Sequence, residues 1–289
     1  MLITLQVVSA LVTAGILFLQ AAGLTLIFGV CRVLNLAHGT FFMLGLFLTW
    51  SVTTMVGEGT GGFWISLLVV PLVCAAVGVL AEVTLFRRVY RAHLLAQVLL
   101  TIGIIYIVGD LIRLGWGLTA KSVPVPDQFG APLEVMGVFI PSYYAFVIAV
   151  AAFAAVGIWC IVNKTSWGLL VRAASQDRDM SAALGVHQQR LFASVFGLSL
   201  WLVGLGAALY APIGGANLGM DLDNVIEAFA VVVIGGMGSI VGSLVAALMI
   251  GGVKAFGILV LPQFSMAFVF ALMALVLLFR PNGLFGAPE

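Results

Sequence analysis

From Leu2 to Cys31 the chain carries no charged side chain; the first after Met1 is Arg32. A helix needs about 20 apolar residues to cross a hydrocarbon layer about 30 Å thick, so this stretch is long enough to span a membrane. It is too long for the core of a signal peptide and lacks a basic start, so it reads as a retained helix over roughly 4–30. Further apolar runs cover roughly 40–56, 64–85, 94–112, 142–162, 191–211 and 258–279. Hydrophobic residues make up 63% of the 289 and charged residues 8%. Soluble domains are about half apolar and a quarter charged, so a water-soluble fold and a disordered chain are both excluded. The net charge of +1 offers no basic cluster for nucleic acid.

The second run ends at Gly57-Glu58-Gly59, and the third at Arg87-Arg88-Val89-Tyr90-Arg91. From Val225 to about 253 the apolar run is interrupted by Gly235-Gly236-Met237-Gly238-Ser239. Irregular backbone at membrane depth must be shielded by protein, so a broken element is expected there, either two short helices or a re-entrant pair. The expectation is an all-α polytopic membrane protein of about eight transmembrane helices, a single transmembrane domain over 1–289. Basic residues concentrate in two alternate loops: Arg87, Arg88 and Arg91, then Lys164, Arg172, Arg178 and Arg190. Those loops face the cytoplasm. The N-terminus is then outside, and the C-terminus inside if the broken element makes an even number of crossings.

Several chemistries lack their residues. The segment Gly115–Ser122 only approximates a phosphate loop, with Ala120 where glycine is needed, and it follows no strand. There is no HExxH or GxSxG. His93 and His187 read as surface side chains. His38 has two readings, an interfacial histidine bonded to a backbone carbonyl or a proton carrier. Cys31, Cys74 and Cys160 are odd in number and irregularly spaced, which suits small buried hydrophobes rather than a disulfide or metal site. Asp110 and Glu227 are the acids nearest a span interior. Asp110 is placed to pair with Arg113. Glu227 either complements the N-terminal dipole of the broken helix or acts in coordination or gating. So little embedded charge makes a poor proton pump.

Small residues recur at four-residue spacing, Gly238 with Gly242 and Ala247 with Gly251, which lets helices approach closely in lipid. The pattern suits internal packing, a broken helix lining a solute path, or both. In the inner loop 163–190, Asp177–Leu184 has the composition of a short helix, with Met180 and Leu184 as an apolar edge and Gly185 placed to end it. Such a helix either docks a partner protein or rests on the membrane surface.

Four stretches, GLTLIFGVCRVLNLAHGTFFMLG (Gly23–Gly45), LLTIGIIYIVGDLIRLGWG (Leu99–Gly117), LLVRAASQDRDMSAALGV (Leu169–Val186) and VVVIGGMGSIVGSLVAALMIGG (Val231–Gly252), resemble in this order the permease subunits of branched-chain amino acid ABC importers. The resemblance implies a bacterial inner-membrane permease in a five-part importer. It would assemble with a second homologous permease, two cytoplasmic ATPases and an extracytoplasmic solute-binding protein. It needs no cofactor or metal of its own, since ATP is used by the partner subunits, and it is not an enzyme. Relatives carry urea, short amides and carboxylate solutes. Ala174–Gly185 would be the coupling helix seated in an ATPase groove, with Asp177, Arg178, Asp179, Met180, Ala183, Leu184 and Gly185 as its contact set. It departs from the general pattern, which opens Glu-Ala-Ala before a glycine. Asn35, His38, Gly39, Gly235, Gly236 and Gly238 match well-marked blocks of the family. With Gln97, Thr101 and Glu227 they form the expected path or gate.

The expected function is a membrane path for a small polar solute, branched-chain or other amino acids, by alternating access driven by the ATPases. The alternative is a stand-alone carrier or channel for a solute such as urea or an amide. Because the sequence shows no evident charged pocket for an ammonium or carboxylate, selectivity is expected to reside in the binding protein.

Overall fold

The computed structural model describes residues 2–57, 60–90, 92–135 and 137–286. Glu58, Gly59 and Arg91, which bounded two of the expected runs, lie outside the described residues. The helices are α1 (Leu2–Cys31), α2 (His38–Val56), α3 (Thr60–Ala81), α4 (Arg87–Val89), α5 (Leu94–Trp116), α6 (Ser142–Lys164), α7 (Ser166–Gln176), α8 (Arg178–Ala183), α9 (Gln188–Gly214), α10 (Met220–Gly235), α11 (Ile240–Val260) and α12 (Ser265–Phe279). A π-helical turn, Glu82–Phe86, joins α3 to α4, so that Thr60–Val89 is one continuous apolar helix. The sheet among the described residues is a hairpin in the loop before α6, β1 (Leu133–Val135) against β2 (Val138–Ile140), with Leu133 opposite Ile140.

Among the described residues, seven helices are long and apolar enough to cross a membrane, and the shorter apolar α12 makes eight. Helices predominate because hydrocarbon offers no partner for a backbone amide, so each segment must satisfy its own. The most enclosed span is α9, most of which is buried, whereas α5 and α6 are largely exposed. The core therefore forms where α1 and α9 run side by side, with α2, α3, α10 and α11 around them. At the rim, α5 and α6 turn Tyr106, Ile107, Phe153 and Val156 outward, as a lipid-facing surface requires. Cys160 lies on that rim and is exposed, while Cys31 and Cys74 are buried; the expectation that all three are buried fails for Cys160.

Small residues set the close approaches. A methyl group at Gly251 would lie 2.5 Å from the Ala10 carbonyl oxygen, and one at Gly29 would lie 3.0 Å from Gly238 Cα. With the α1 contacts in that order, α11 runs antiparallel to α1, and the small-residue spacing serves packing within this chain.

The glycine-rich element is a pair of antiparallel helices. Gly235 packs on Gly242 at the turn, while Glu227 meets Lys254 farther along. Gly236 and Gly238, at φ 98° and 88°, supply the left-handed backbone of the break. Ser239 then caps α11, its hydroxyl accepting from the Gly242 N–H at 3.0 Å. The last carbonyls of α10 are satisfied by the C-terminal tail: Leu284 N–H donates to Ile234 O at 2.8 Å and Phe285 N–H to Gly235 O at 3.0 Å. The tail lies on the side of Gly29 and the basic loops, since Gly238 packs on Gly29 and Gly283 on Gly236. The element extends past the expected boundary at 253, and the last helix starts at Ser265 rather than 258. Pro262 is the cause, since it holds the preceding Leu261 extended at φ −147°, ψ 84°.

The inner loop is more helical than expected, and Ala174–Gly185 is not one helix. Asp177 is extended (φ −142°, ψ 109°) and divides α7 from α8. Its carboxylate accepts the Met180 N–H at 2.9 Å, capping α8, and Gly185 at φ 88° follows its end.

Candidate functional site

Toward the end of the bundle opposite the basic loops, a cavity of about 250 Å³ opens between α1, α9, α10, α11 and α12. Its apolar wall includes Val12, Ile16, Leu17 and Ile213; its polar groups are Thr13, Gln20, Tyr210, Asp223, Asn224 and the pair Glu227–Lys254. Lys254 Nζ lies 2.6 Å from Glu227 Oε1, with the side chains 23% and 10% exposed. The pair is part-buried, so removing one partner is costly because the other is left charged and unpaired. Glu227 sits about two turns into α10, so a role complementing the helix dipole is excluded. Asp221 and Asp223 occupy the first turn instead. The pair also overturns the premise that the chain has no charged pocket.

Gln20 reaches the cavity from the middle of α1. It is 1% exposed, and neither of its amide atoms has a hydrogen-bond partner. A buried amide left unbonded costs roughly 1–3 kcal/mol, which marks it as a group awaiting something polar. Its backbone carbonyl is occupied, at 2.9 Å from His38 Nε2. His38 is thus bonded to a carbonyl as one reading had it, but it is fully buried rather than interfacial. Next to it, a Cβ at Gly39 would collide with the Asp221 carbonyl oxygen, and Thr40 Oγ1 donates to Asp221 Oδ2 at 3.4 Å. The start of α2 is therefore locked onto the start of α10 beside the cavity.

The expected path residues fall into separate groups. Glu227 lines the cavity, and His38 and Gly39 stand behind it. Asn35 is buried in the α1–α2 link with both amide atoms unbonded. Gly235, Gly236 and Gly238 form the break at the far end, against the tail. Gln97 and Thr101 belong to neither group: Gln97 Nε2 donates to the Val89 and Ala92 carbonyls, and Thr101 to Val98 O. Sequence reasoning missed Gln20, Tyr210, Asn224 and Lys254. The signal for Lys254 was present, since it is the one basic residue between Arg190 and Arg280 and stands in an apolar run.

On the inner side, a polar cleft of about 780 Å³ is lined by Arg32, Arg87, Arg88, Asp177, Arg178 and Asp179, among others. The acid beneath it is Glu82, also missed, which is fully buried on the π-helical turn. Arg87 Nη2 meets its carboxylate at 2.8 Å, and Tyr90 donates its phenol at 3.1 Å. Burial chiefly, and then the neighbouring Cys31 and Glu82, push the Tyr90 pKa up, which keeps the phenol a proton donor. The Arg178 guanidinium lies 4.5 Å from the Phe192 ring centroid and 5.6 Å from that of Tyr90. Gln188 Nε2 donates to the Arg178 carbonyl at 2.5 Å. Arg178 thus ties α8 to α9 and to the end of the third span. Met180 on α8 and Leu184 just past its end are 58% and 79% exposed, and Asp177, Asp179, Ala183 and Gly185 are exposed with them. His93 and His187 are exposed, as expected. Asp110 pairs with Arg113 at 3.3 Å on an exposed face, where such a pair adds little.

Residues 6–277 match the family model of the branched-chain amino acid transport system permease component. The chain is 28% identical to the high-affinity branched-chain amino acid transport system permease protein BraD of Pseudomonas aeruginosa, over 98% of this chain and 96% of that one. It is 26% identical to the corresponding protein LivH of Escherichia coli K12, over 94% and 91%. A shorter match, 37% identical over 37% of this chain and 31% of the relative, is to the guanosine ABC transporter permease protein NupP of Bacillus subtilis. No solved structure matches the chain.

Proposed function

The chain belongs to the family of branched-chain amino acid transport system permease components, a multi-pass inner-membrane permease of an ABC transport system, and from that membership we propose that it carries leucine, isoleucine and valine inward. The observation that carries this reading is the cavity, which joins a buried ion pair and an unbonded amide to an apolar wall. That combination suits a solute with a charged head and an aliphatic tail, whereas urea offers no tail.

In the cycle we infer, an extracytoplasmic binding protein delivers the solute to the open end of the cavity. Two ATPases clasp α8 on this chain, and its equivalent on a second, homologous permease, from the inside. ATP-driven closure of the ATPases displaces α8, and Arg178 passes the movement to α9 and to the Tyr90–Glu82–Arg87 cluster. Because α9 forms a wall of the cavity through Tyr210 and Ile213, its displacement reshapes the site. Opening at the glycine break between α10 and α11, now sealed by the tail, releases the solute inward. The chain itself performs no catalysis and takes no cofactor; ATP is consumed by its partners.

Uptake of radiolabelled leucine, isoleucine and valine by proteoliposomes holding the complete importer tests the cargo. All three are expected to accumulate with ATP inside. Accumulation of guanosine or urea with none of the three would reject the assignment.

A further inference from the structure

We propose that Glu227 and Lys254 form a zwitterion clamp in the membrane, opened by an incoming α-amino acid, with Glu227 taking its ammonium and Lys254 its carboxylate. The proposal rests on the amino acid reading of the cargo and adds where in the chain that cargo is recognised. It would also move part of the selectivity from the binding protein into this subunit.

Three observations meet at one place. The two charges line the same cavity and now satisfy each other at 2.6 Å. The Gln20 amide lines that cavity too, nine-tenths buried and beyond, with both polar atoms unbonded. An apolar wall of Val12, Ile16, Leu17 and Ile213 completes it. A zwitterion brings one charge of each sign, so it replaces a single ion pair by two charge-assisted hydrogen-bonded contacts and leaves no charge bare. An acid or an amine alone satisfies only one half and strands the other unpaired in a part-buried site, which is the costly outcome. Discrimination therefore comes from the unpaired group that the wrong solute leaves behind. The Gln20 amide can accept from an ammonium or donate to a carboxylate, and the aliphatic wall takes the side chain. Lys254 has a flexible four-carbon stem, so it can swing aside without moving a helix.

The test uses the purified assembly of permeases and ATPases without the binding protein, so that delivery does not filter the ligands. The ligand-induced rise in melting temperature reports binding. It is titrated with leucine, with leucinamide, which lacks the carboxylate, and with 4-methylpentanoate, which lacks the ammonium. The wild-type assembly is expected to bind leucine about tenfold or more tighter than either analogue. In Lys254→Gln the advantage of leucine over leucinamide disappears, and in Glu227→Gln its advantage over 4-methylpentanoate disappears. Either single change leaves a charge unpaired, so the double variant Glu227→Gln with Lys254→Gln, which keeps a hydrogen-bonded pair, serves as the foldable control. It is expected to melt near the wild type without ligand and to lose the preference for leucine. A wild-type assembly with no saturable leucine response overturns the clamp. So does equal weakening of all three ligands in both single variants, or an undiminished preference in the double variant. ATP-driven leucine uptake by the complete importer, measured alongside, separates the two levels: if it persists while the clamp fails, the cargo assignment stands and the site does not.

Discussion

Gly39 carries no side chain because the Asp221 carbonyl oxygen occupies the space a Cβ would take. Gly39→Ala must therefore push α2 away from α10, and overpacking of this kind costs about 1–3 kcal/mol. Thermal unfolding of the purified assembly should show a lower melting temperature and reduced uptake; an unchanged melting temperature would mean that the two helices are not locked there. Arg178 makes a different kind of contact, a guanidinium stacked on Phe192 and near Tyr90, worth about 0.5–2 kcal/mol. Arg178→Ala should leave basal ATP hydrolysis in place while cutting the binding-protein-stimulated part several-fold, with Arg178→Lys in between. ATPase assays with and without binding protein read this directly, and equal stimulation in Arg178→Ala would remove the residue from the route. Residues of this kind were hard to read from sequence. Glu82 lies inside an expected apolar run, and its role becomes visible only when the π-helical turn brings Arg87 and Tyr90 onto it. Lys254 needed a partner 27 residues away.

Elements were more legible than contacts, because apolar length and glycine or proline placement are local properties. The break at Gly235–Ser239 is found where its glycines fall, whereas the extension of α11 to Val260 followed from Pro262, which the hydropathy of the run concealed. Asp177 was read as the start of a short helix, and it is the cap that separates α8 from α7. Charge reversal there, Asp177→Lys, removes the cap and changes the surface offered to an ATPase. It should lower the amount of ATPase that co-purifies while membrane insertion stays normal, and normal co-purification would count against α8 as the handle. The tail is an element that hydropathy does not reveal. Truncation after Gly283 frees the Ile234 and Gly235 carbonyls, at about 1 kcal/mol for each lost bond. If the tail seals the inner end, proteoliposomes with truncated chain should leak preloaded leucine without ATP; tight vesicles would deny it that role.

For the whole molecule, the division of labour follows from where its charges are. One buried pair lies beside the cavity, another beneath α8, and the intervening helices are apolar and closely packed. Close-packed helices transmit displacement as units rather than absorbing it, which is the physical basis of the proposed route from α8 through α9 to the cavity. Arg32, Arg87 and Arg178 cluster at one end, with the glycine break and the tail on the same side, the end that the positive-inside reading assigns to the cytoplasm. Among the described residues the buried acids are Glu82, Asp221 and Glu227. The most direct test of a conduit driven from outside itself is leucine uptake by proteoliposomes, comparing this chain alone under an imposed proton or sodium gradient with the complete importer supplied with ATP. Accumulation only in the complete, ATP-supplied vesicles is the predicted result; gradient-driven accumulation by the chain alone would contradict it.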